Sequence, residues 1–166
     1  MAAAQELNPK RDYPDLIEDQ MLAIAIYGET VAAYRYMVLS EKLPNEEDRK
    51  MFAAISDEEQ THKQQLQTLA DKHYPDSSFF ISDADKALVV AGPRLIDVRD
   101  IQDYRSVMGM ALETEWLVAR FYQAMSTRAR TSEIRDTFTT LGNESFTHYR
   151  RLQKLARERG LLSDDD

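Results

Sequence analysis

The sequence predicts an all-α fold, an antiparallel bundle of four long helices built as two helical hairpins joined by a long crossover. Three observations support this prediction. The 166 residues include only five glycines and five prolines, and residues that favour helices are abundant. Apolar residues recur about every 3.5 residues through four long segments. Two of the connections between these segments are short, so the helices they join must lie side by side in opposite directions.

The first hairpin turns at a proline. We expect the first helix over about residues 13–43, because Pro44 cannot continue a helix. The second helix is expected over residues 45–73, with Asn45 as its N-cap and three acidic residues directly after it. The helix dipole favours negative charge in that first turn, which supports this start.

The second hairpin has an equally short connection. Its helices are expected over residues 100–128 and 132–159. The last helix begins after Thr131 or Ser132 and ends at Gly160, which is suited to the left-handed backbone conformation that closes many helices.

A longer segment of about 26 residues, 74–99, separates the hairpins and contains prolines, serines and a glycine. This length is ample for a return along the bundle, and the segment is expected to hold a short helix around residues 82–89. Together the elements form one domain over residues 13–160. The ends, residues 1–12 and the acidic residues 161–166, are expected to be flexible.

Composition excludes several classes of function. The formal net charge of −8 disfavours nucleic acid as a partner and favours cations. The sequence has no cysteine, which excludes disulfides, thiolate metal sites and a nucleophilic thiol. We find neither a secretory signal nor an apolar stretch long enough to cross a membrane. We therefore expect a cytoplasmic protein without a membrane partner.

Acidic and histidine side chains interrupt the otherwise apolar inward stripes of the helices. Glu29 and Glu59 lie 15 residues on either side of Pro44, so the hairpin places them at one level. Glu115 and His148 lie at similar distances on either side of the second short connection. The residues expected in this central layer are Glu29, Glu59, His62, Glu115 and His148.

The two halves of the chain also resemble one another, hairpin against hairpin. Aligned pairs include Glu29 with Glu115, Tyr36 with Tyr122, His62 with His148 and Leu66 with Leu152. Such an internal repeat predicts an approximate twofold axis between the hairpins.

The central layer predicts a metal site. No lysine or arginine lies on the inward stripes, and an unpaired buried carboxylate costs several kcal/mol. Carboxylate together with imidazole suits iron, manganese or zinc, and suits calcium or magnesium poorly. The Glu59-x-x-His62 spacing places both side chains on one helix face, as in the di-iron bundles. The alternative is a polar layer that binds no metal and only fixes the register of the helices.

Four segments resemble the ferritin-like superfamily, and most closely its rubrerythrin-type branch. They are YGETVAAYRY at 27–36, DEEQTHKQQL at 57–66, ALETEWLVARFY at 111–122 and NESFTHYRRL at 143–152. The resemblance implies a site for two iron ions per chain, chemistry with peroxide or dioxygen, and assembly into homodimers or larger oligomers. Rubrerythrins usually carry a four-cysteine iron site, which these residues lack, so we expect a separate electron-donor protein.

The fourth helix departs from the family pattern. That pattern places a bridging glutamate three residues before His148, where this sequence has Ser145, and Glu144 lies one residue earlier. A π-bulge would turn Glu144 inward, although the apolar residues before it stay in phase with His148. Glu144 therefore either reaches the metals from the side of the stripe or leaves one bridge missing.

Four further residues lie near the expected layer. Glu58 is expected to be a solvated acid beside the stripe, and Glu113 is a weak alternative to Glu115 as a ligand. Tyr36 and Tyr122 lie two helical turns from the glutamates of their own helices, where they either pack as core aromatics or support the site, for example by quenching radicals.

These observations lead to a function hypothesis with three alternatives. The leading hypothesis is an oxidoreductase in which two metals, held by the layer residues and Glu144, react with peroxide or dioxygen, as a peroxidase or a ferroxidase. The alternatives are a non-catalytic metal-binding protein, a helical interaction module without metal, and an oxygenase acting on an organic substrate.

Overall fold

The computed structural model describes residues 13–99 and 101–162, and every regular element in that part of the chain is a helix. The expected flexible segment 1–12 and residues 163–166 lie outside the described residues. The helices are α1 Glu18–Lys42, α2 Glu46–His73, α3 Asp83–Lys86, α4 Ile101–Arg128 and α5 Ser132–Glu158. The predicted all-α class is therefore confirmed for the described residues. None of these helices is long and apolar enough to cross a membrane.

The start of α1 departs most from prediction, since the helix begins at Glu18 and not near residue 13. The short helix expected around residues 82–89 also ends early, at Lys86. Residues 13–17 belong to no helix, and Ile17 is extended, with backbone angles of φ −89° and ψ 165°. The carbonyl of Pro14 accepts a hydrogen bond from the side chain of Arg128 at 2.9 Å. This tertiary contact engages a carbonyl that a helix would otherwise bond internally.

Both predicted end signals have the expected geometry. The side chain of Asn45 accepts hydrogen bonds from the backbone N–H groups of Glu47 and Asp48 at 2.9 and 3.1 Å, which caps α2. At the end of α5, Gly160 has a φ of 66°, and the N–H of Leu161 donates to the carbonyl of Ala156. This six-to-one bond is the Schellman closure of a helix. Because the side chain of Leu161 is also buried, the packed part of the chain extends beyond Gly160.

The helices pack as two pairs, α1 with α2 and α4 with α5. In the first pair, Arg49 donates to the carbonyl of Leu43 at 2.7 Å, and Ser56 donates to the carbonyl of Ala33 at 2.8 Å. As residue numbers rise along α2, the numbers of the residues contacted in α1 and directly after it therefore decrease. The tips of both hairpins are only three residues long, between α1 and α2 and between α4 and α5.

A buried arginine ties the crossover to the helices. Arg35 of α1 donates to the carbonyls of Ala91 and Pro93 at 2.6 and 2.7 Å, and to the hydroxyl of Thr114 on α4 at 3.1 Å. That hydroxyl accepts a further bond from the N–H of Ala91 at 3.0 Å. The crossover is thereby fixed between α1 and α4.

The same crossover approaches α1 closely at Gly28. A Cβ atom at this position would lie 3.1 Å from the Cβ of Val89, closer than ordinary van der Waals contact. Glycine therefore gives Val89 the room to cover the outer face of α1.

The buried core is divided into two clusters. The predicted inward residues of all four long helices are buried wherever their side chains are described. One apolar cluster contains Leu22, Leu66 and Phe138, and the other contains Leu39, Ile55 and Leu152. The polar layer lies between these two clusters, in the middle of the bundle.

Candidate metal centre

Five of the six predicted ligands come together in this layer. Their exposed fractions are 1% for Glu29, 3% for Glu59, 7% for His62, 3% for Glu115 and 2% for His148. They form two groups, Glu29–Glu59–His62 and Glu59–Glu115–His148, and within each group the ligand atoms lie within 4.8 Å of one another. Glu59 belongs to both groups, so its carboxylate lies between two three-residue sites.

Both histidines turn Nδ1 towards the carboxylates. Nδ1 of His62 lies 3.6 Å from Oε2 of Glu29 and 3.5 Å from Oε2 of Glu59. Nδ1 of His148 lies 2.6 Å from Oε1 of Glu59 and 3.8 Å from Oε1 of Glu115. The inward nitrogen of each imidazole therefore faces two carboxylates, so that all three groups point towards one common position.

Glu144, the sixth predicted ligand, lies outside both groups. Helix α5 is a regular α-helix from Ser132 to Glu158, without the π-bulge that would turn Glu144 inward. Its carboxylate instead lies 2.5 Å from Nε2 of His62, the ring nitrogen that faces away from the layer. Ser145, at the expected bridging position, is buried on the inward side.

Glu58 has the matching position on the other side. Its carboxylate lies 2.6 Å from Nε2 of His148. Nη1 of Arg151 lies 3.4 Å from Oε1 of the same carboxylate. The side chain is 44% exposed, so it is solvated as expected, but the contact with His148 was not expected. The internal repeat was the sequence signal for this contact, because it aligns Glu58 with Glu144 and therefore predicts equivalent positions for both acids. The alternative ligand Glu113 is exposed and belongs to neither group.

Two tyrosines reach across from the opposite hairpin. Tyr36 on α1 donates a hydrogen bond to Glu115 on α4, and Tyr122 on α4 donates one to Glu29 on α1. Both rings are buried, and burial together with the acidic neighbours raises the pKa of both phenols well above the ordinary value. The phenols therefore keep their protons and act as donors to the carboxylates.

The three buried carboxylates differ in charge. Burial raises the pKa of Glu29 well above its ordinary value, and the charge of Glu59 adds to the rise. Burial raises the pKa of Glu115 for the same two reasons, to about 8. Burial also acts on Glu59, but its close contacts with Glu29 and the two histidines outweigh it and lower its pKa below the ordinary value. In the absence of metal, Glu59 is therefore the ionised member.

The histidines carry the balancing charge. Burial lowers the pKa of His62, but its close contacts with the acids Glu29 and Glu59 outweigh it and raise this pKa to about 11. Burial likewise lowers the pKa of His148, but its close contact with Glu59 and the charge of Glu115 outweigh burial and raise this pKa to about 9. At neutral pH both imidazoles are therefore protonated in the metal-free protein.

The donor set fits a pair of metal ions. Nδ1 of His148 and Oε1 of Glu59 lie 2.6 Å apart but are not aligned as a full hydrogen bond, and Oε2 of Glu29 likewise has no full hydrogen bond with the described residues. No ion pair of the three carboxylates within residues 13–99 and 101–162 involves a lysine or arginine. Buried polar atoms normally have partners, so donor atoms that converge on one layer without full hydrogen bonds fit a bound cation.

A groove between α2 and α5 leads to the layer. It has a volume of about 320 Å³, and both histidines and both outer glutamates, Glu58 and Glu144, contribute to its lining. Thr61 and Thr147 line it as well, so its surface is polar in part. The groove gives small polar molecules a route from solvent to the histidines.

Comparison with known proteins identifies the family of this chain. The sequence matches the rubrerythrin family model over residues 20–160. The chain belongs to the rubrerythrin family. The resemblance inferred from the four helix motifs is therefore confirmed.

Solved structures share the fold of this rubrerythrin-family chain at low identity. A hypothetical protein from Pyrococcus furiosus is 21% identical, with a TM-score of 0.71 over 84% of this chain and 87% of that one. KatB, a manganese catalase from Anabaena PCC7120, is 17% identical, with a TM-score of 0.68 over 93% and 82%. Another structure, of wild-type KatB from Anabaena, is 15% identical, with a TM-score of 0.66 over 92% and 78%. The search of curated proteins gives no match.

Proposed function

We propose that this rubrerythrin-family protein binds two metal ions in the central layer and is an oxidoreductase acting on peroxide or dioxygen, of the peroxidase or ferroxidase type. The observation that carries the proposal is the shared position of Glu59. Its buried carboxylate belongs to two carboxylate–histidine groups at once, as the bridge of a metal pair does.

In this proposal Glu29 and His62 hold one metal, Glu115 and His148 hold the other, and Glu59 lies between them. Iron is the metal proposed first, with manganese or zinc as alternatives that the same donor set suits. The manganese catalases among the structural neighbours support manganese in particular. The bound metals would supply the electrons exchanged with peroxide or dioxygen. The direct ligand role predicted for Glu144 finds no support in its contact with the outer nitrogen of His62.

The chain's own residues would prepare the site for this chemistry. Tyr36 and Tyr122 hold Glu115 and Glu29 in place across the bundle and keep phenolic protons close to the layer. The two apolar clusters exclude water from above and below the layer. Access is left to the groove between α2 and α5.

The proposal extends to the assembly. We propose that the four long helices form an antiparallel bundle of two hairpins joined by the crossover. The contacts between α1 and α2 support this, because higher residue numbers on α2 pair with lower residue numbers on the α1 side. The separate electron donor and the homodimer or larger oligomer expected from the family are part of the same proposal.

The decisive experiment compares metal content and turnover in wild type, Glu59→Gln and Glu113→Gln. The purified protein is analysed for metals, loaded anaerobically with Fe(II) and exposed to peroxide. Wild type should bind about two irons per chain and consume peroxide with oxidation of iron. Glu59→Gln should lose metal at both sites, because the bridge serves both, whereas the exposed Glu113→Gln should match wild type.

A different result decides against the proposal. Less than about one metal per wild-type chain after loading, with no further loss in Glu59→Gln, would overturn the metal pair and favour an interaction module.

The second candidate function is a non-catalytic metal-binding protein. It is favoured by Ser145, which is only 4% exposed and occupies the inward position where a second bridging glutamate is expected. This candidate predicts stable metal binding without turnover of peroxide or dioxygen. The loading experiment separates the two, since it measures metal content and peroxide consumption independently.

A further inference from the structure

The outer nitrogens of the two site histidines are engaged by acids from the opposite helix. Glu58 of α2 lies against His148 of α5, and Glu144 of α5 lies against His62 of α2. Resting on the proposed metal pair, we propose that Glu58 and Glu144 are positioning residues, each of which orients one histidine and holds the proton on its outer nitrogen so that Nδ1 faces the metal.

The geometry of each ring supports this assignment. Nε2 of His62 is 2.5 Å from Glu144, and its Nδ1 faces the buried glutamates. Nε2 of His148 is 2.6 Å from Glu58, and its Nδ1 likewise faces inward. A neutral imidazole donates from one nitrogen and offers a lone pair from the other. A carboxylate that accepts the Nε2–H bond therefore leaves the lone pair on Nδ1, where the metal would bind.

Helix geometry explains why these two acids reach the rings. Each immediately precedes the inward residue of its helix, Glu58 before Glu59 and Glu144 before Ser145. Successive residues point about 100° apart around a helix, so each acid points sideways from the layer. Both acids border the groove between α2 and α5, and each crosses it to the histidine on the far side.

The contrast in burial separates these acids from the ligands. The side chains of His62 and His148 are 8% and 2% exposed, whereas those of Glu144 and Glu58 are 47% and 44% exposed. A solvated carboxylate can be replaced without leaving an unpaired charge in the core. The same contact is made twice, once from each half of the repeat to the other, which argues against a chance surface ion pair.

The test uses zinc-loaded protein, which is diamagnetic, with nitrogen-15 in the histidine rings and His73→Gln throughout so that every ring signal comes from the site. Zinc affinity is measured by competition with a chelator. Wild type should show two slowly exchanging Nε2–H signals. Glu144→Ala should lose the signal of His62, keep that of His148, and bind one of its two zinc ions about 10–100-fold more weakly. Glu58→Ala should do the reverse.

Two further variants guard the interpretation. Asp57→Ala removes an exposed carboxylate next to Glu58 and should leave both signals and both affinities unchanged. Glu144→Gln keeps an oxygen that accepts from Nε2–H, so it should retain the His62 signal with faster exchange and most of the affinity. This variant also tests the proposal if Glu144→Ala does not fold.

The outcomes separate this inference from the proposed function. Zinc bound normally by Glu144→Ala and Glu58→Ala, or equal losses in Asp57→Ala, would overturn the positioning role alone. A wild-type protein that binds no zinc and no iron would overturn the metal pair, and the positioning role with it.

Discussion

At the scale of residues, the central layer holds protons in the positions where metals are proposed. Glu29 and Glu115 keep their protons because they are buried beside Glu59, and the two histidines are protonated because they face carboxylates. Protons and metals therefore compete for the same donor atoms.

This competition gives a prediction for pH. The pKa values of His62 and His148 rise from 6.5 to about 11 and about 9, and those of Glu29 and Glu115 also rise. The folded metal-free protein therefore binds more protons than the unfolded chain above pH 6, and its stability should fall as pH rises towards 9. The lowered pKa of Glu59 acts only below its ordinary value of 4.5, outside this range.

The measurement is the melting temperature of chelator-treated protein between pH 6 and pH 9. It should decrease over this range, and less steeply in His148→Gln. Added zinc should stabilise the protein most at the higher pH, because fewer protons must then leave. A metal-free melting temperature that rises between pH 6 and pH 9 would contradict the assigned protonation.

The buried tyrosines give a second prediction at this scale. Tyr122→Phe leaves the carboxyl group of Glu29 without its phenolic donor, which should destabilise the protein by about 1–3 kcal/mol. The hydroxyl of Tyr104 is buried but makes no hydrogen bond with the described residues, so Tyr104→Phe provides a matched control with little loss. Urea denaturation of the metal-free variants measures both, and equal losses would show that the bond to Glu29 contributes nothing.

The sequence was informative about which residues enter the layer and less so about their partners. Helical periodicity placed Glu29, Glu59 and His62 inward, because burial follows the helix phase. The side-chain directions of Glu58 and Glu144 depend on how close α2 and α5 approach, which no local pattern encodes.

At the scale of elements, one buried side chain makes several of the contacts that fix the crossover. Arg35 provides donors to two crossover carbonyls and to Thr114, and it is almost fully buried. Capping and turn residues predicted the helix ends, including Asn45 and Gly160, because those signals are local. The path of the crossover and the late start of α1 depend on contacts with distant side chains, so the sequence pattern did not reveal them.

Replacement of this arginine should loosen the crossover. Arg35→Met keeps most of the buried volume but removes the donors to Ala91 and Pro93, with an expected loss of about 1–3 kcal/mol. Limited proteolysis should then cut within residues 92–99 faster than in wild type. The exposed Arg150→Met is the control and should leave both stability and cleavage unchanged. Unchanged cleavage in Arg35→Met would mean that apolar packing alone holds the crossover.

At the scale of the whole molecule, the inward glutamates, tyrosines and histidines of the layer match between the two halves except at the bridging position, where Glu59 corresponds to Ser145. The repeat was visible in the sequence, since the paired glutamates, tyrosines and histidines keep the same spacing in both halves. The effect of Ser145 on the number of bound metals was not visible, because it depends on whether another carboxylate reaches the same point.

Restoring the match gives a prediction for metal binding. Ser145→Glu places a second inward carboxylate opposite Glu59, which should tighten binding of the second metal. Calorimetric titration with zinc measures the change, with Asn143→Glu, an exposed position on the same helix, as the control for added charge. An unchanged stoichiometry of two and unchanged affinity in Ser145→Glu would show that the wild-type site already has all the ligands it needs for two metal ions.

The crossed contacts of the tyrosines and outer glutamates have a consequence for building this site from smaller parts. Each hairpin supplies the residues that support the other hairpin's ligands, and neither supports its own. A synthetic peptide covering α1 and α2 therefore already contains every kind of side chain the site uses. Two copies of that peptide, associated about a twofold axis, would make a symmetric site with two Glu59 bridges, a minimal design that needs neither Ser145 nor the crossover.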